Sequence, residues 1–200
     1  MKKRQTIFIV LIMMIFSTTM QAQTQKVPAD YVHVPGPILF DKQSFNLSWS
    51  SHPQPNFYKQ EYIVKGDNPD QFKMMVLTDV LTGGSNLKDV VSAKISELKR
   101  MKETNPLVNY EVISNPKTGE YMIDFLLSAN GADGVMNTVE RNVYRYRSFT
   151  DKSGKASVQL FGVSVRSYGK DITRFLTALK ASRKDLVNKV SQFNLPEVKI

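Results

Sequence analysis

Apolar and polar residues alternate from Phe45 to Trp49, where Asn46 and Ser48 separate Phe45, Leu47 and Trp49. A repeat of two is the period of a strand with one face buried. His52, Pro53, Gln54 and Pro55 break that pattern, and a second strand is predicted from about Phe57 to Lys65, closed by Gly66, Asp67, Asn68 and Pro69. A third, from Phe72 to Leu81, is apolar on both faces (Met74, Met75, Val76, Leu77), which predicts a central strand covered on both sides. After Gly83 and Gly84 the period changes to that of a helix. Leu87, Val90, Val91, Ile95, Leu98 and Met101 fall on one face, with Ser85 or Asn86 as the cap and Pro106 as the stop.

Strand alternation then returns. Val108, Tyr110 and Val112 form one strand, Asn115 to Gly119 a hairpin turn, and Tyr121 to Leu127 the next strand. Along it Tyr121, Ile123, Phe125 and Leu127 share one face, and Glu120, Met122, Asp124 and Leu126 share the other. Ala129 to Asn137, holding Gly131 and Gly134, is predicted as the longest loop, followed by long strands over Thr138–Phe149 and Ala156–Tyr168. The last element is a helix capped near Asp171, with an apolar stripe of Ile172, Phe175, Leu176, Leu179, Leu186, Val187 and Val190. The order βββαββββα, with strands in hairpin-linked runs, predicts an α+β fold: a single, mostly antiparallel sheet of about six or seven strands with two helices packed on it.

The first 22 residues read differently. Lys2, Lys3 and Arg4 precede the unbroken apolar run Ile7–Phe16, and Ala22 supplies a small residue before a cut ahead of Gln23, the tripartite pattern of a secretory signal peptide. A run of that length falls short of the roughly 20 apolar residues that span a bilayer, so no transmembrane anchor is expected after cleavage. The chain is therefore divided into a signal peptide (1–22), an extended Pro-containing lead-in (23–42) and a single α+β domain (43–200), delivered to the periplasm or beyond it. Export also makes nucleic acid an unexpected partner. The formal charge is +9, of which Lys2, Lys3 and Arg4 supply three, and the remaining excess favours an envelope protein or anionic ligand as partner. The absence of cysteine excludes a lipid anchor, disulfides, thiolate metal sites and cysteine nucleophiles.

Candidate chemistry is sparse. His33 and His52 sit in Pro-rich segments without a ligand-spaced partner, no G-x-S-x-G elbow or phosphate loop occurs, and no catalytic residue, metal or cofactor is expected. Glu120, Asp124 and Glu140 are the carboxylates that a glycosidase-like pair would draw on. The most suggestive cluster is basic and aromatic: Arg141, Arg145 and Arg147 on one face of a strand, Tyr144 and Tyr146 on the other, with Arg166 and Tyr168 closing the neighbouring strand. Arginine forks grip carboxylates and phosphates, and tyrosine stacks on sugars and apolar surfaces, so these seven residues are the candidate binding set. The competing expectation is a charged sheet face paired with Glu120, Asp124 and Glu140.

The opening strand Ser44-Phe45-Asn46-Leu47-Ser48-Trp49, the helix entered from Ser85-Asn86-Leu87, the meander and the helix starting at Asp171 together resemble the layout of the Mog1/PsbP-like superfamily. The resemblance covers about residues 43–192 and takes in small exported bacterial proteins. It implies a binding or assembly factor without a shared active site. The function expected is an exported, soluble, non-enzymatic binding or assembly module of the bacterial envelope; the alternatives are an envelope hydrolase using sheet carboxylates and a secreted effector or inhibitor.

Overall fold

A computed structural model describes residues 27–200; the basic prefix, the apolar run and the cleavage point of the leader lie outside the described residues. Eight strands and two helices follow in the order ββββαββββα: β1 (Ile38–Phe40), β2 (Gln43–Gln54), β3 (Phe57–Val64), β4 (Met74–Leu81), α1 (Leu87–Thr104), β5 (Asn109–Ser114), β6 (Tyr121–Asn130), β7 (Met136–Thr150), β8 (Ala156–Tyr168) and α2 (Ile172–Gln192). They form one curled antiparallel sheet in the order β1-β2-β3-β4-β8-β7-β6-β5. Two four-strand meanders thus meet at the β4–β8 pairing, in which Val76 faces Val163. No helix among the described residues is long and apolar enough to cross a membrane.

The strand count exceeds the expected six or seven because the lead-in itself contributes β1. Ile38, Leu39 and Phe40 pair with Phe45, Ser44 and Gln43, and the reversal is made by Asp41 and Lys42, both at positive φ. Upstream, Val32 and Val34 are buried in the core beside Ile38 and Phe40. A buried glutamine holds that segment down. Gln60 Oε1 accepts from the Val32 amide at 3.0 Å, its Nε2 donates to the Val34 carbonyl at 3.2 Å, and the Tyr62 hydroxyl reaches the same carbonyl at 2.7 Å.

Three other local expectations change. A bulge between Leu47 and Trp49 brings Trp49 opposite Glu61 while Leu47 stays opposite Tyr62, so Trp49 lies on the reverse face from Phe45 and Leu47 and is 42 % exposed. The expected long loop shrinks to Gly131–Val135, because β6 and β7 continue their ladder to the Asn130–Met136 pair. Asp171 makes no side-chain cap; a 3-10 turn over Gly169–Asp171 leads into α2 instead. By contrast Asn86 caps α1 as the sequence predicts, its Oδ1 accepting from the Lys88 amide at 2.8 Å.

The helices divide the core into two layers. α1 covers one sheet face, packing Val91 and Leu98 onto Leu77, Ile123, Phe125, Tyr146 and Leu160. Gly162 is needed there for space: a Cβ on it would stand 2.8 Å from both Leu77 and Tyr144, so its lack of a side chain lets the Tyr144 ring lie across β8. The other face carries Phe45, Tyr62, Val76, Val143, Phe161 and Val163, closed by the end of α2, the lead-in and the tail residues Phe193, Leu195, Val198 and Ile200.

Candidate functional site beneath the C-terminal helix

The alternation along β7 sends its arginines to the α2 face and its tyrosines to the α1 face. Each then meets a different environment. Arg141 is 5 % exposed and pairs side-on with Asp124 of β6, its Nε 3.0 Å from Oδ1 and its Nη2 3.2 Å from Oδ2. Arg145 pairs with Glu120 at 2.8 Å and sends Nη1 to the carbonyls of Val190, Ser191 and Phe193, at 3.2, 2.9 and 2.9 Å. It therefore places a cation against the negative end of α2 and satisfies carbonyls that have no helical partner. Arg147 donates to Gln159 Oε1 at 2.8 Å and to the Pro196 carbonyl at 3.1 Å, and burial lowers its pKa. These contacts tie the helix end and the tail to the sheet.

On the α1 face, Arg166 pairs with Glu140 and lies 4.1 Å above the ring of Phe72, whose carbonyl accepts from the Tyr168 hydroxyl at 3.0 Å. Tyr144 packs edge-on against Phe125 at 4.9 Å, and Tyr146 is buried with its hydroxyl unpartnered among the described residues. The seven candidate residues are thus split between two faces. Three of the arginines take the three carboxylates named from the sequence: Arg141 with Asp124, Arg145 with Glu120, and Arg166 with Glu140.

The register also separates those carboxylates. Glu140 is opposite Leu127 and Asp124 opposite Val143, so Glu140 faces α1 whereas Glu120 and Asp124 face α2. A paired-carboxylate site drawn from Asp124 or Glu120 with Glu140 is ruled out by the sheet between them. A different acid stands out on the α1 face. Asp79 of β4 is buried, its Oδ1 has no partner among the described residues, and Lys59 is 3.9 Å from Oδ2. Burial pushes its carboxyl up to about 7 against the pull of Lys59, and burial also raises Glu61.

Two open spaces lie under α2. Between Ile172 and Val190 no residue of the helix is fully buried, although Phe175, Leu176, Leu179, Leu186 and Val187 are half-buried. The Arg141–Asp124 pair occupies the sheet surface beneath this stretch, and Arg141 Nη2 donates to the Arg183 carbonyl, tying the middle of the helix to the sheet. Two cavities flank that contact. One, of about 380 Å³, is lined by Leu126, Leu176 and Leu179 with Asp124, Arg141, Lys180 and Arg183 among its polar groups. The other, of about 250 Å³, lies on the opposite flank of the helix among Met74, Val165, Phe175, Leu179 and Leu186. Arg141 and Leu179 line both.

The cleft is apolar with a basic margin. Arg183 reaches Asp124 at 3.2 Å and Glu111 at 2.9 Å, Arg141 already holds Asp124, and Lys180 makes no ion pair among the described residues. Arg141 Nη1 likewise makes no hydrogen bond there and, unlike the rest of this largely buried side chain, stays open to solvent. Of these groups Arg141 and Asp124 carried a sequence signal and Leu179 stood in the apolar stripe of the last helix, whereas Lys180 and Arg183 carried none.

No curated protein and no solved structure matches the chain. A protein-family model does match over residues 32–195, from the first buried valine of the lead-in to the apolar tail, and the chain belongs to that family.

Proposed function

We propose that the protein is an exported, soluble, non-enzymatic binding module of the bacterial cell envelope, and that the cleft beneath α2 receives its ligand. The observation that carries this reading is Arg141. Arg141, largely buried, keeps one guanidinium nitrogen without a protein partner and lines both cavities that flank the helix. A concave, mainly apolar site with a few convergent polar groups is the usual form of a small-molecule pocket. The signal-like leader supports export, and the layout resemblance to the Mog1/PsbP-like superfamily supports binding over catalysis. Glu120 and Asp124, the acids on this face, are each held by an arginine, an arrangement that favours structural pairing over proton transfer.

Native mass spectrometry provides the test. The full-length protein is incubated with the small-molecule extract of bacterial envelopes and compared with Leu179→Trp, which fills the cleft from its exposed wall. A bound small molecule on the wild type, with at least about tenfold lower occupancy on the variant, is expected. Absence of any bound mass, or equal occupancy of both proteins, would overturn the reading.

A further inference from the structure

The cleft's charge pattern goes further than its shape. Resting on the ligand-site reading above, we propose that the ligand is a single-chain amphiphile with a monoanionic carboxylate head, the head at Lys180 and Arg141 and the chain along Leu126, Leu176 and Leu179. Leu126 of the sheet and Leu176 and Leu179 of the helix line the larger of the two cavities without closing it, leaving apolar surface that an alkyl chain would remove from water. The cavity, of about 380 Å³, lies near the lower end of the range for small-ligand pockets, which suits one chain rather than two.

The sign and size of the head follow from the local charges. Arg141, Arg183 and Lys180 are cationic, Asp124 and Glu111 are anionic, and the ion pairs join Arg141 and Arg183 to those two acids. One positive charge, on Lys180, is left over at the cavity margin. A single negative charge balances it; a doubly charged phosphate would stand against Asp124 with nothing to offset its second charge. Arg141 Nη1 supplies donors to a head group without giving up Asp124, so the site is pre-organised before the ligand arrives.

Displacement of a fluorescent fatty acid from the full-length protein tests the assignment, with dodecanoate, dodecyl phosphate, dodecyl maltoside and acetate as competitors. Dodecanoate is expected to saturate one site, the neutral maltoside and dodecyl phosphate to compete at least about tenfold more weakly, and acetate not to compete. Lys180→Glu should weaken dodecanoate about tenfold and leave the maltoside unchanged, and because Lys180 is exposed the variant should fold normally. Equal competition by the maltoside, tighter competition by dodecyl phosphate, or dodecanoate binding indifferent to Lys180→Glu would overturn the carboxylate assignment. If dodecanoate fails while Leu179→Trp still abolishes capture of an envelope molecule, the ligand class is wrong and the site stands; if both fail, the site itself falls.

Discussion

At the scale of single residues, the arginines of β7 show how one residue type at alternate positions serves three distinct ends. Arg141 bonds the middle of a helix to the sheet, Arg145 caps the end of that helix, and Arg147 anchors the tail beyond it. Arg145 has the clearest energetic consequence, since its Nη1 satisfies three carbonyls while Glu120 balances its charge. Arg145→Ala should cost about 2–4 kcal/mol, because it leaves a largely buried Glu120 unpaired and strips the end of α2 of its cap. Arg145→Lys should recover only part of that loss, as an ammonium cannot reproduce the planar fork. Urea denaturation of the three proteins checks both expectations, and an unchanged midpoint in Arg145→Ala would mean that water replaces the guanidinium without penalty.

Among the elements, the lead-in and the tail behave as parts of the core. The Lys199 amide donates to the Val32 carbonyl at 3.0 Å, so the lead-in and the tail pair with each other. Pro196 accepts from Gln159 Nε2 and from Arg147 Nη2, both at 3.1 Å, and Phe193 stacks on Phe161 at 4.8 Å. Removing residues 194–200 would bare the apolar cluster that Leu195, Val198 and Ile200 cover and leave the fully buried Gln159 without its carbonyl partner. The truncated protein should lose about 3–5 kcal/mol, the sum expected of a large apolar deletion and an orphaned buried amide. A thermal melt decides it; a truncated chain that melts with the full-length protein would show the tail to be dispensable. The apolar residues of these ends, such as Val32, Val34 and Val198, are legible in the sequence as hydrophobic, but isolated among prolines and polar residues they carry no period. Gln60 holds the backbone of Val32 and Val34 in place, and Arg147 holds the carbonyl of Pro196, two residues before Val198.

For the molecule as a whole, Asp79 couples stability to pH. Its carboxyl titrates at about 7 in the fold, above the ordinary 3.8, so the folded state holds the proton more tightly than the unfolded chain does. The stabilisation this provides is complete below about pH 4, declines as pH rises towards 7, and is absent above that. Asp79→Asn, which keeps the shape without the charge, should therefore flatten that slope and stabilise the protein by about 1–3 kcal/mol at pH 8, with little difference at pH 4. Urea midpoints of both proteins from pH 4 to 8 measure this, and parallel curves would remove Asp79 as the source. An acid inside the otherwise apolar run Met74–Leu81 is visible in the sequence, whereas the lack of a full partner for it is a property of the assembled sheet.

What the sequence determined by itself is whatever local chemistry and period can encode. Alternation of two placed β2, β5, β6 and the faces of β7, turn residues bounded β3 and β8, helical spacing placed α1 and α2, and Asn86 marked the start of α1, because side-chain direction repeats with the backbone that carries it. The sequence also determined which β7 residues share a face, and hence that Arg141, Arg145 and Arg147 lie on the same side of the sheet. The tertiary structure alone decided what covers that face. A strand of three residues and a one-residue bulge are too short to show a period, so β1 and the reversal of Trp49 emerged only from pairing. The cleft depends on α2 crossing a sheet whose strands come from both meanders, and on a buried ion pair between neighbouring strands that lies beneath the helix. Contacts between residues as distant as Arg141 and Arg183 have no local signature, since they exist only once the chain has closed upon itself.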